Sequence, residues 1–157
     1  MSAKDSAQEI GRQKAWIAIT AGLVIAYLIM ALIDGDPLWI FSFDSTLNLL
    51  FGALLLYVFG YYLGGISGKL ILLEKYPALL VGLISGILMT GLSTFIAGFV
   101  GFFGEGLQDG FGVQAAFEDY VIKPVLMVWA WGFLPIVVAG LWYGWAVKGR
   151  KLGKAQD

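Results

Sequence analysis

Cysteine and histidine are both missing from this chain. Their absence excludes disulfides, thiolate and imidazole metal sites, and histidine-ligated haem. It also removes the Ser-His and cysteine nucleophiles of hydrolytic and transfer enzymes. Charge is scarce as well. Asp, Glu, Lys and Arg make up 13% of 157 residues, against about 25% in a typical soluble domain. The formal net charge is −1, and the few basic residues are not interleaved with aromatics as a nucleic-acid surface requires. No nucleic-acid partner is expected.

Phosphate-binding motifs fail on inspection. Gly68-Lys69 has the end of a P-loop, but Leu63 stands where its first glycine belongs and Leu70 replaces the magnesium-binding hydroxyl. Gly104-Glu105-Gly106 opens a dinucleotide fingerprint that Asp109 then breaks, and no strand precedes it. The chain is therefore expected to be non-enzymatic and to carry no cofactor or metal.

What is abundant is apolar. Hydrophobic residues reach 59%, more than a water-soluble surface of this size accommodates. Four stretches lack Asp, Glu, Lys and Arg altogether: 15–33, 45–68, 76–104 and 124–147. Each meets the roughly 20 residues needed to cross about 30 Å of hydrocarbon. The expected fold is all-α, a single integral membrane four-helix bundle spanning 1–157, with helices near 15–33, 45–68, 76–104 and 121–147. Tails occupy 1–14 and 148–157. The first stretch is 19 residues long and ends at Ile33-Asp34 without a small-x-small cleavage site, so it reads as a retained helix. Asp44 and Ser45 are suited to cap the second helix, and Pro77 and Pro124 to first-turn positions.

Charge placement predicts orientation. Lys4, Arg12, Lys14, Lys69, Lys75, Lys148, Arg150, Lys151 and Lys154 fall on one side of the spans, and Lys123 alone falls on the other. The positive-inside rule then puts both termini in the cytoplasm. The outer loops are acidic, with Asp34, Asp36 and Asp44 in the first and Glu105, Asp109, Glu118 and Asp119 in the second. A solvated loop shaped by topogenic charge explains them better than a Ca²⁺ site, since no EF-hand spacing is present. A short interfacial segment is expected in each outer loop. These are the apolar run 38–43, and the residues Phe102, Phe103, Leu107, Phe111, Val113, Ala116 and Phe117 set among acids. Small size and the lack of any Asn-x-Ser/Thr acceptor suggest a bacterial inner membrane.

Inside the spans, small residues recur every four positions: Gly60, Gly64 and Gly68; Gly82 and Gly86; Gly140 and Gly144; and Ala18, Gly22 and Ala26. Such stripes let helix backbones approach where lipid supplies no hydrophobic drive. They are candidate faces for packing within the bundle or against a partner. The third span, 29 residues or about 43 Å long, must tilt, protrude or break. Gly91, Ser93 and Thr94 make 90–94 its candidate bend, and Pro135 the bend of the fourth helix. Trp16, Trp39, Phe41, Tyr76, Tyr120, Trp142, Tyr143 and Trp145 fall near helix ends, as an interface belt requires. Trp129, Trp131, Tyr57, Tyr61 and Tyr62 lie deeper, where they pack or stack on a quinone, carotenoid or lipid tail. None of the four uncharged stretches contains Asp, Glu, Lys, Arg or His, and Asn48 is the one amide among them. This argues against a proton-coupled carrier. The cytoplasmic-face residues Lys69, Glu74 and Lys75 read as a solvated juxtamembrane loop.

Two functions remain open. The first is a non-catalytic subunit or accessory factor of a larger membrane complex, held by lipids and other membrane subunits. The second is a small transporter, channel or lipid-translocating protein acting as a homo-oligomer.

Overall fold

The computed structural model describes residues 2–36, 38, 46–108, 110 and 112–150, the side chains of 34 and 46–48 excepted. The run 39–43 with its Trp39 and Phe41, the caps Asp44 and Ser45, the Asn48 amide, Asp109, Phe111, Lys151 and Lys154 lie outside them. All regular structure described is helical: α1 (Ala3–Asp34), α2 (Thr46–Leu72), α3 (Ala78–Gly101), the short α4 (Val113–Phe117) and α5 (Lys123–Lys148). Among the described residues, four helices are long and apolar enough to span a membrane.

The first helix begins twelve residues before the uncharged stretch does. Ser2 caps it: its Oγ accepts from the Asp5 backbone N–H while the Asp5 carboxylate accepts from the Ser2 backbone N–H, a reciprocal capping box. Residues 3–14 therefore form the first three turns of α1 rather than a separate tail. They stay helical because they have somewhere to pack: Ala7 and Ala15 are fully buried against the end of α2. At its other end Gly35 adopts the left-handed conformation (φ 72°) and donates its N–H to the Ala31 carbonyl.

The connection between α2 and α3 is tight. The Leu73 and Glu74 N–H groups both donate to the Lys69 carbonyl, and Lys75 turns the chain with a positive φ of 57°. The Lys69 ammonium meets the Glu74 carboxylate at 2.8 Å across this turn. Lys69 thus lies in the last turn of α2, while Glu74 and Lys75 form the exposed turn that follows it.

Helix α3 is continuous across 90–94. The Ser93 hydroxyl donates back to the Met89 carbonyl and the Thr94 hydroxyl to the Thr90 carbonyl, at 2.7 and 2.9 Å. The departure from α-geometry comes later, as a π-helical turn at Phe102–Gly106. A second π-turn, Glu118–Ile122, joins α4 to α5, so helical backbone runs from Val113 to Lys148. Part of the expected interfacial segment of the second outer loop packs onto α3, while its Phe103, Leu107 and Val113 stay exposed. Ala116 and Val121 are buried with Phe102, and Phe99, Phe117 and Tyr120 close around them.

Consecutive long helices pack antiparallel, α1 on α2, α2 on α3 and α3 on α5, and α5 closes the ring on α1. The N-terminal half of α1, the end of α2, the start of α3 and the end of α5 meet at one end, in a core of Ala15, Ile71, Ala78, Tyr143 and Val147. Lys4, Arg12, Lys14, Lys69, Lys75, Lys148 and Arg150 gather at that end. Lys123 lies at the opposite end, where it pairs with Asp119. Outside, the bundle is apolar along its length: Leu32, Leu134, Trp145 and Trp131 are 83%, 70%, 66% and 64% exposed.

Candidate functional site

The seven stripe glycines all lie between helices of this chain. On α2, a methyl group at Gly60 would stand 2.5 Å from Ile19 Cδ1, at Gly64 2.8 Å from Ala15 Cβ, and at Gly68 2.2 Å from the Ala7 carbonyl. Gly11 of α1 answers them from the other side, 2.0 Å from the Gly64 carbonyl by the same measure. On α3 and α5, a methyl at Gly82 would stand 2.3 Å from the Gly140 carbonyl, and one at Gly144 2.0 Å from the Ala78 carbonyl. Gly86 and Gly140 extend this seam by one turn, with 3.3 Å from a Gly86 methyl to the Gly140 Cα. At Gly11, Gly68, Gly82 and Gly144 the atoms met are backbone and too close for any side chain, so backbone lies on backbone there. Gly22 is different: nothing lies within 4 Å of its notional methyl, and Ala26 beyond it is exposed.

The bend candidates are placed separately. Gly91 faces the Trp129 ring of α5, 3.5 Å from a notional methyl. Ser93 is 2% exposed and bonded within its own helix. Pro135 sits inside α5, one residue before the buried Ile136. Trp131 points outward, away from any chamber between helices.

A polar node joins three helices where the two glycine seams come together. Ser67 of α2 and Ser85 of α3 meet at 2.6 Å between hydroxyls, and Tyr143 of α5 donates its O–H to the Gly64 carbonyl at 3.1 Å. All three side chains are buried. Each serine is also placed to donate to its own helix, Ser67 to Leu63 and Ser85 to Val81, both at 2.7 Å. A hydroxyl has one proton, so one serine donates along its helix while the other donates across to it. The node is satisfied internally and presents no nucleophile or acid to a ligand; its chemistry is that of a clasp.

A second polar feature faces outward, and no uncharged stretch announced it. Arg12 lies level with Gly64, whose notional methyl is 3.3 Å from the Arg12 Cα. It therefore sits alongside the uncharged part of α2, about one helical turn in from Lys69. Its guanidinium lies over the Tyr61 ring at 4.0 Å. Its Nε is buried without a hydrogen-bond partner, against Gly65, where a methyl would stand 3.1 Å away. The nearest carboxylate is Glu9 at 3.9 Å, one turn earlier on α1. Above Arg12, the Trp16 indole N–H donates to the Tyr57 carbonyl at 3.3 Å, and the hydroxyls of Thr20 and Tyr57 meet at 2.8 Å. A groove of about 410 Å³ opens on Trp16, Ile17, Thr20, Ala21 and Tyr57.

The capping pair Ser2 and Asp5, with Ala7, Gly11 and Ala15 at spacings of four, was the available signal that α1 reaches Arg12's depth. Among the described residues no three acidic side chains cluster closely enough to hold a metal ion. No protein-family model, curated protein or solved structure matches this chain.

Proposed function

We propose that this chain is a multi-pass membrane protein with both termini on the cytoplasmic side, acting as a non-catalytic subunit or accessory factor of a larger membrane complex. The basic end of the bundle supports the orientation by the positive-inside rule, and a bacterial inner membrane is the compartment this reading assigns. The observation that carries the subunit role is the outward face of α5. It presents Met127, Trp131, Phe133, Leu134, Trp142 and Trp145 to the outside, whereas Gly140 and Gly144 of the same helix turn inward onto α3. Tryptophan, phenylalanine and methionine are the residues enriched at subunit contacts. The polar node supports the same role, because the buried hydroxyls hold helices together rather than addressing a substrate.

A photo-crosslinking residue at Trp131, in native membranes followed by mild-detergent purification, tests this. The expected outcome is one discrete adduct with another polypeptide, in stoichiometric yield. Crosslinks to lipid alone, together with purification as a lone monomer, would overturn the proposal. Crosslinks to a second copy of this chain would favour a homo-oligomeric transporter or channel, and flux in proteoliposomes would then decide.

A further inference from the structure

We infer that the groove between α1 and α2 binds one anionic phospholipid, its phosphate on Arg12 and its acyl chain along Trp16, Ile17 and Ala21. This deepens the membrane reading and rests on it. A guanidinium that lies level with the uncharged part of α2 cannot leave its charge uncompensated in a low-dielectric setting. Within the chain its compensation is incomplete. Tyr61 supplies a ring face, Glu9 is beyond hydrogen-bonding distance at 3.9 Å, and Nε has no acceptor. The Tyr61 ring covers one side of the guanidinium, 4.0 Å from Cζ to the ring centroid, which leaves the Nη groups for a charge-assisted contact with a phosphate. The Arg12 side chain remains 28% exposed, so those groups are reachable.

The groove beyond the charge has the chemistry of an acyl-chain contact, apolar apart from the Thr20 and Tyr57 hydroxyls. Arg12, Trp16 and Thr20 stand at intervals of four on α1, opposite Tyr61 and Tyr57 on α2, so the groove that opens at Trp16 begins one turn along the helix from the charge. Trp16, Ile17 and Ala21 line the apolar wall. Free inorganic phosphate would use the charge but leave this wall unused. A zwitterionic lipid would use the wall but bring its own cation to Arg12.

The test is native mass spectrometry of the full chain released from nanodiscs of equimolar phosphatidylglycerol and phosphatidylcholine. One retained phosphatidylglycerol is expected, with about fivefold preference over phosphatidylcholine, the ratio for about 1 kcal/mol from one Arg near an anionic surface. Arg12→Gln should bring the ratio near one, and Trp16→Ala should lower retention of both lipids while keeping the ratio. Lys14→Gln, which removes a neighbouring charge outside the groove, should leave the preference unchanged. Equal retention by the native chain, a preference that survives Arg12→Gln, or one that disappears with Lys14→Gln would each overturn the site. So would displacement of the lipid by millimolar inorganic phosphate, which is the arm that decides if Arg12→Gln does not fold. A chain that fails to enter the nanodisc at all refutes the membrane reading itself, whereas an inserted chain without the preference refutes this site alone.

Discussion

Glycines that look alike in the sequence differ sharply in what surrounds them. Gly144 has the Ala78 carbonyl where a side chain would begin, and Gly22 has open space. A methyl group at Gly144 must push α5 away from α3, because the atom it meets is backbone and cannot rotate aside. Gly144→Ala is expected to destabilise the fold by about 1–3 kcal/mol, the usual range for overpacking. Gly22→Ala should stay within about 0.5 kcal/mol, as at an open surface position. Unfolding of the two variants by SDS titration in mixed micelles compares them directly. Equal stability would mean that the α3–α5 seam is looser than the structure shows.

At the scale of the element, α1 is the helix whose extent matters most. Its first three turns carry Lys4, Glu9 and Arg12 and look like a polar tail by composition, yet Ala7 and Gly11 seat them against Gly68 and Gly64. Two consequences follow for exchange of backbone amide hydrogens in detergent. Amides from Ala7 to Ala15 should be protected to the same degree as those of the following turns. Gly11→Leu, which forces a branched side chain onto the Gly64 carbonyl, should remove that protection while sparing α3 and α5. Exchange of residues 7–15 at the rate of an unstructured tail in the native chain would contradict the helix as described. The π-turns at Phe102–Gly106 and Glu118–Ile122 belong to the same scale: they re-aim Phe102 and Val121 toward Ala116 and so close the far end of the bundle.

For the whole molecule, the missing cysteines become an experimental advantage, since any introduced thiol is the sole one. A membrane-impermeant maleimide applied to intact cells should label Gln108→Cys, at the far end of α3, and leave Lys75→Cys unlabelled until lysis. The reverse pattern would invert the orientation. Labelling of both in intact cells would remove the barrier between the two ends, and with it the membrane-spanning arrangement. The asymmetry tested is the gathering of the described basic residues, Lys123 excepted, at one end.

The number of long apolar helices, the all-α class and the charge asymmetry were legible in the amino-acid sequence, whereas the full lengths of α1 and of the helical run before α5 were not. The legible properties depend on composition summed over long uncharged stretches, and a sum of that kind tolerates errors at any single residue. The glycine stripes were legible as stripes, because a period of four needs only the helix geometry. Which stripe meets which was not. Gly60, Gly64 and Gly68 could have faced any neighbour, and only the antiparallel packing of α1 on α2 and α3 on α5 decided that α1 answers the first set and that Gly82 and Gly144 answer each other. The depth of Arg12 was hidden for the same reason. Hydropathy measures a residue against its chain neighbours, so it placed Arg12 outside the first span, whereas its surroundings are set by Tyr61, Gly64 and Gly65 of another helix. Properties additive along one helix belong to the sequence; contacts between helices depend on their relative register and rotation, which only the tertiary structure supplies.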